Sequence, residues 1–367
     1  MTGGIREELP ARHLPPRRVD GAPDPAAEAL MSGVLRADLH VHSYHSGYAR
    51  HLRVLRARDC YSEPEAVYAA ARARGMDVVT ITDHDSIDGC LEFLNRHPDA
   101  EDFFISEEVE CSFPGTTLKA HIGAYAIDER IHREIQPLRS DVHDVVAYLR
   151  SRDVFYALNH PFFFFTGQMP FAEYVAMLVG LFPAFEVRNG TMLPEHNLLA
   201  QAIVSACGAQ GGPPFVMIGG SDAHTLAGVA TTFTEVTGRD EQEEREESHG
   251  SPRDRFVRGL RAGRARADGR HGSTLREASE IYGVVARYWA SLVGGGRPGL
   301  SLPRRALGLA FSAVTLPFEF SPLLVAALDK RAEAARVRAY RREWDAAAAT
   351  PTGAAAIANL AAESEST

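Results

Sequence analysis

The stretch Ala37–Gly47, "ADLHVHSYHSG", sets His40, His42 and His45 within six residues, directly after a short apolar run. In a strand, residues two apart point the same way. His40 and His42 therefore face one pocket and can grip one ion, and imidazole suits zinc, iron and similar metals. An HxH pair is a short pattern with little meaning alone. Its meaning depends on what the other strand ends carry.

In "TITDHDSIDG", Thr80–Gly89, an apolar run ends and Asp83, His84 and Asp85 arrive at its C-terminal edge. His84 is the better ligand candidate, because Asp83 and Asp85 also suit a hydrogen-bonded loop end. In "FFISEEVECSF", Glu108 and Glu110 share one face and Glu107 points the opposite way. A carboxylate can bridge two cations; Glu108 is the favoured bridge and Glu110 the alternative. His121 opens "HIGAYAI", and His160 ends the apolar run of "FYALNHPFFFF". In "FVMIGGSDAHT", Asp222 and His224 repeat the spacing of His40 and His42 with one carboxylate exchanged in. Five separate strand ends carrying His, Asp or Glu point to a multinuclear metal site.

Alternation and apolar runs place strands near 36–42, 77–82, 103–111, 117–126, 154–159, 184–188 and 215–220. Helical patterns fall between them, at 62–75 and near 88–96, 132–151, 171–180 and 195–208. Alternating strands and helices predict an α/β layer or barrel with a mostly parallel sheet. The active site is then expected at the C-terminal strand ends.

With 367 residues, 45% of them hydrophobic, the chain can bury a sizeable core. A net charge of −9 argues against broad non-specific nucleic-acid binding. Cys60, Cys90, Cys111 and Cys207 show no CxxC spacing, which predicts reduced thiols and a cytoplasmic protein. Residues 1–33 have no apolar signal core and read as a disordered leader. Residues 239–254 read as an acidic exposed loop, 271–345 as a helical extension and 346–367 as an Ala-rich flexible tail. The apolar segment Ala306–Leu328 is interrupted by Pro317, Glu319 and Pro322, so helical packing is favoured over membrane contact. Contact with a membrane or protein through 300–345, and peripheral membrane association with it, stay open, as does the oligomeric state.

Taken together, "DLHVHS", "ITDHD", "EEVECS" with His121, "NHP" and "SDAH" resemble, in order, the polymerase and histidinol phosphatase (PHP) family of metal-dependent phosphoesterases. The resemblance covers about residues 34–270. It implies a distorted (β/α)7 barrel, here with a C-terminal helical extension, and two or three divalent ions, zinc, manganese or iron. His40, His42, Glu108 and Asp222 would hold the first ion. Glu108 would bridge to a second held by His121 and His160, and His84 and His224 would hold a third. The family's further third-ion ligand falls near His45, with His51 the other option.

Such a site implies a hydrolase that cleaves a phosphoester, a small phosphomonoester or nucleotide-type substrate, by attack of a metal-bridging hydroxide. Asp83 or Asp85 would orient water or a ligand histidine. Arg188 is the leading phosphate donor, ahead of Arg50, Arg53, Lys119 and His271. The "PFFFF" run, Pro161–Phe165, is core by default, with part of it free to line the pocket. The competing readings are an amidohydrolase-like hydrolase of C–N bonds and a non-catalytic metal-bound docking module.

Overall fold

The computed structural model describes residues 33–49, 57–208, 215–237, 250–293, 301–319 and 321–350. Most of the leader, residues 239–249, the "GGGRPG" break and residues 351–367 lie outside these, with His13, Arg50, His51, Arg53 and His249.

The architecture is mixed α/β. Strands β2 (Ser106–Ser112), β3 (Lys119–Tyr125), β4 (Phe155–Leu158), β5 (Ala184–Asn189) and β6 (Val216–Gly220) form one sheet in sequence order. The expectation of a mostly parallel sheet needs correction. β3 runs antiparallel to both β2 and β4, and only β4–β5 and β5–β6 are parallel. The loop between β2 and β3 is too short for a crossover helix, so the pair forms a hairpin.

A second sheet joins β1 (Val34–Ala37), β7 (Thr232–Thr237) and β8 (Ala265–Gly269), all antiparallel. Neither β7 nor β8 was expected from sequence. "RARADG" places charges on alternate residues and becomes a strand only through its pairing with β7.

Among the described residues no ladder closes a barrel. The expected strands at 36–42 and 77–82 continue past β1 and beside β2 as extended chain with isolated bridges, Val41 to Ala223, Val79 to Phe103 and His84 to Glu108. Between β6 and β7 the link is a side chain. The Thr234 hydroxyl accepts from Gly219 N (2.9 Å) and donates to Gly219 O (2.8 Å).

Helices α1 (Pro64–Ala73), α2 (Asp88–Arg96), α3 (Glu129–Ile135), α4 (Val142–Ser151), α5 (Phe171–Leu181), α6 (Pro194–Gly208) and α7 (Pro252–Arg261) surround the sheets. The single helix read over 132–151 is two, parted by a 3-10 turn at Gln136–Leu138 whose Pro137 cannot continue an α-helical ladder. Val145, Leu149, Tyr174, Leu178, Leu199 and Ile203 bury one main core against β2–β5.

Then come α8 (Thr274–Leu292), α9 (Leu302–Glu319) and α10 (Pro322–Ala348). Helix α10 packs on the main core through Val337, Tyr340 and Trp344, and the Tyr340 ring stacks on Phe171 at 4.9 Å. Among the described residues no helix is long and apolar enough to cross a membrane. The four cysteines are free and buried.

Candidate metal centre

The site is framed first by backbone. Beyond β1, Asp38 is buried and its carboxylate accepts from Ser221 N (2.8 Å), Ala230 N (2.7 Å) and His40 N (3.2 Å). Burial outweighs these hydrogen bonds and pushes its carboxyl up to about 6. Asp222 N donates to His40 O (2.6 Å) and His42 N to Ala223 O (3.1 Å), which lays the HxH segment beside Asp222 and His224. Gly220 is required here: a Cβ would fall 2.2 Å from His40 Cβ. His160 and Asp222 both take left-handed backbone, φ 27° and 50°. Such conformations are costly without glycine and cluster at functional sites.

Glu108 stands at the centre, 0% exposed. Its Oε1 lies 3.1 Å from His40 Nε2, 3.1 Å from His121 Nδ1 and 3.3 Å from His160 Nε2. Its Oε2 lies 2.8 Å from His84 Nδ1. Asp222 Oδ1 lies 3.3 Å from His42 Nε2 and 3.5 Å from His40 Nε2. The His42 and His224 rings stack at 4.3 Å. The donor atoms form four overlapping groups of three: His40–His42–Asp222, His40–Glu108–His160, His84–Glu108–His121 and His42–His84–His224.

The donor set fits divalent cations. His40 Nε2, His42 Nε2, Glu108 Oε2 and His121 Nδ1 are buried atoms with no hydrogen-bond partner. Buried polar atoms are ordinarily satisfied, and imidazole nitrogens beside an unprotonated carboxylate are the ligands that zinc, manganese and iron accept. Burial resists charge on Glu108, yet the imidazoles of His121 and His40 hold its carboxyl well below the usual range. Burial, then the neighbouring His224 and His84, brings His42 down to about 3, so it is neutral and ligand-ready.

A layer of partners orients these side chains. His40 Nδ1 lies 3.0 Å from Glu186 Oε1, and Glu186 Oε2 accepts from His160 N (2.8 Å) and Asn189 Nδ2 (2.9 Å). His42 Nδ1 lies 3.0 Å from the Ser46 hydroxyl, which donates to Asp83 (2.7 Å). Asp222 Oδ2 accepts from the Thr191 hydroxyl (3.0 Å) and Asn189 Nδ2 (3.2 Å). Asn159 Nδ2 donates to Glu108 (3.0 Å).

The Thr191 loop is held from behind by α10. Lys330 Nζ donates to Thr191 O (2.8 Å) and to Glu333 (2.8 Å). Glu333 accepts from Leu193 N (2.8 Å) and lies 3.4 Å from His196 Nδ1. Lys330 and Glu333 are 6% and 7% exposed. His196 lies on α6 and is not a member of the donor groups.

Several expectations need correction. His45 does not reach the cluster. A 3-10 turn over Tyr44–Ser46 stacks its ring on Tyr44 and sets Nε2 2.9 Å from Glu92. Asp59 stands beside the outer histidines instead, its Oδ2 3.3 Å from His84 Nε2 and 3.4 Å from His224 Nε2. Nothing local marks Asp59, which follows basic residues in "LRARDC".

Asp83, expected to orient water or a ligand histidine, is 1% exposed, and Ser43 N, Ser43 Oγ and Ser46 Oγ occupy its oxygens, which sets it behind His42 and away from water. Arg188 faces away. Its NH1 donates to Gly269 O (3.0 Å) and lies 3.6 Å from Asp268, beside Phe215 and Met217. The cause is a bulge in β5. Glu186 pairs with Ile218 and Arg188 with Gly219, so the alternation reverses between them. Glu186 takes the inward place.

Of the weaker cations, Lys119 pairs with Glu110, which also lies 3.4 Å from His121 Nε2. His271 bonds Asn197. Asp85 pairs with Arg139. In the "PFFFF" run, Phe162 and Phe165 are core, while Phe164 packs edge-on to His121 (4.7 Å) and Phe163 edge-on to His160 (5.2 Å).

No family model matches the chain. An uncharacterized protein of Methanocaldococcus jannaschii is 38% identical over 58 residues, 16% of this chain and 33% of that protein. The chain thus matches about a third of the length of that curated relative. Among solved structures, it is similar to a two-domain protein of Bacteroides vulgatus containing a predicted PHP-like metal-dependent phosphoesterase. That likeness has 19% identity, covers 65% of each chain and has a TM-score of 0.41. PsfC from Pseudomonas syringae is 15% identical, with 70% of this chain and 96% of that chain covered and a TM-score of 0.41. An amidohydrolase from Chromobacterium violaceum is 16% identical, with 51% and 87% covered and a TM-score of 0.38.

Proposed function

We propose that the chain is a PHP-type metal-dependent phosphoesterase, a hydrolase of phosphoric esters. One observation carries this reading: a buried glutamate, Glu108, faces imidazoles from four separate segments, and its Oε2, His40 Nε2 and His121 Nδ1 have no hydrogen-bond partner. His40, His42, Glu108 and Asp222 would hold one divalent ion, Glu108, His121 and His160 a second, and His84, His224 and Asp59 a third. Such ions supply acidity to water and charge stabilisation to a phosphoryl group.

The chain's own residues have separable tasks. Glu186 and Asn189 fix His40 and Asp222 in one orientation, and Ser46 with Asp83 fixes His42. Phe164 and Phe163 pack edge-on against His121 and His160 on one side of the cluster. His84 and His224 are the partly exposed members, so a phosphoester would approach from their side. An amidohydrolase-like site commonly needs a bridging lysine. The chain's lysines are Lys119 and Lys330, paired with Glu110 and Glu333, and neither belongs to the cluster.

The same reading assigns residues 34–270 to the catalytic unit and 271–345 to an extension. It treats the two open sheets, with the isolated bridges between them, as a distorted barrel. A phosphorylated small molecule is the favoured substrate.

Metal content of the purified protein and phosphate release from phosphomonoesters, with Mn2+ or Zn2+ added, test this directly. Bound metal and release are expected, and both should be lost in His40→Ala and Asp222→Ala with the circular dichroism retained. Absence of metal and of release across the panel, or release from amides alone, would overturn it.

A further inference from the structure

The helical extension does more than cover the core. Between α8 and the chain around α1 lies a cavity of about 650 Å³. That volume suits a small-molecule site. His224 lines it, so the cavity opens onto the metal cluster at its partly exposed side.

Its α8 wall is one helix face. Ser279, Gly283, Arg287 and Ala290 recur at spacings of four, four and three, the spacing of residues on one side of a helix. Three of the four are small and leave the space open. A Cβ at Gly283 would come 2.7 Å from Thr225 Cγ2, so glycine lets α8 approach the loop that carries His224. The fourth, Arg287, follows Gly283 by about one helical turn, roughly 6 Å along the axis. Among the described residues it pairs with no carboxylate. Tyr61, Ser62 and Glu63 form the opposite wall, where Glu63 is the one acidic side chain lining the cavity and is exposed to solvent.

We propose that this cavity receives the leaving-group side of the phosphoester, and that Arg287 binds a second anionic group there. The substrate class is then a small phosphoester carrying a second phosphate or a carboxylate. This rests on the phosphoesterase reading above. Arginine is suited to the task because its planar fork meets either anion with two parallel hydrogen bonds.

The test uses the full chain and ligands with one shared body. Phenylphosphonate, 4-carboxyphenylphosphonate and 1,4-phenylenediphosphonate are titrated calorimetrically into Mn2+-loaded protein. The three corresponding phosphate esters are assayed alongside. The two-anion ligands are expected to bind about tenfold more tightly than phenylphosphonate. The ratio should fall to within about twofold in Arg287→Ala and rise in Glu63→Gln. The larger of the two ratios identifies phosphate or carboxylate as the second anion. Equal binding of all three ligands by the wild type, or a preference that survives Arg287→Ala, would overturn the proposal. If none of the esters is cleaved, the phosphoesterase reading fails, while the calorimetric ratios still decide whether Arg287 binds a second anion.

Discussion

Asp59 Oδ2 lies 3.3 Å from His84 Nε2, an ion-pair contact between a loop acid and a strand-end histidine. With His224 the pair forms the outer edge of the cluster. Asp59→Ala is expected to lower the metal content by about one ion per chain, because it removes the one anionic ligand proposed for the third ion. Turnover should fall at least about tenfold. Elemental analysis of the wild type and variant, prepared identically, checks this; equal metal content would remove Asp59 from the site.

Glu186 belongs to none of the four donor groups, but its carboxylate lies 3.0 Å from His40 Nδ1. Partners of this kind fix the tautomer and raise the basicity of a ligating histidine. Glu186→Gln keeps the shape and removes the charge. Affinity for Mn2+ should drop by roughly 10–100-fold while the fold is retained. A calorimetric change below about threefold would make Glu186 a packing residue only.

Arg188→Ala is expected to be nearly silent. The guanidinium sits against Gly269 O and Asp268 on the other side of the sheet. Exposed contacts of this type contribute about 0–1 kcal/mol. The ratio kcat/KM should stay within about twofold of wild type. A loss of about tenfold or more would return Arg188 to the phosphate site.

Glu333 carries a pH signature. Burial pushes its carboxyl up, but His196 and Lys330 outweigh that and hold it at about 2, below the ordinary 4.5. A depressed carboxylate stabilises the fold fully above its unfolded value, and that contribution is lost as pH falls through the folded one. Glu333→Gln should therefore lower stability by about 2 kcal/mol near neutrality. The difference from wild type should hold down to about pH 5 and shrink from pH 4.5 towards 2. Urea melts of both proteins at several pH values measure it; a difference that grows on acidification would contradict the assignment.

The histidines that the fold brings together were legible because their signal is local. An apolar run ending in HxH, DHD, NHP or SDAH carries both the strand and its chemical cargo within a few residues. Asp59 was not legible, since a loop acid acquires its role only when the fold brings two distant histidines to it. Arg188 was misplaced for a different reason: strict alternation puts it on the same face as Glu186, and one extra residue in β5 separates them. His45 failed because a 3-10 turn breaks the strand period just after His42. Strand β8 was not expected because its charges alternate along the segment, and the hydrogen bonds that define it are made with β7.

The clasp of Lys330 and Glu333 on Thr191 and Leu193 gives the chain a temporal order. Every histidine of the cluster is translated by residue 224, more than a hundred residues before that clasp. A nascent chain halted between those points owns all the imidazoles, but its Thr191 carbonyl and Leu193 amide still lack the partners that seat the loop against Asp222. Vectorial synthesis thus separates possession of the donor atoms from their final alignment.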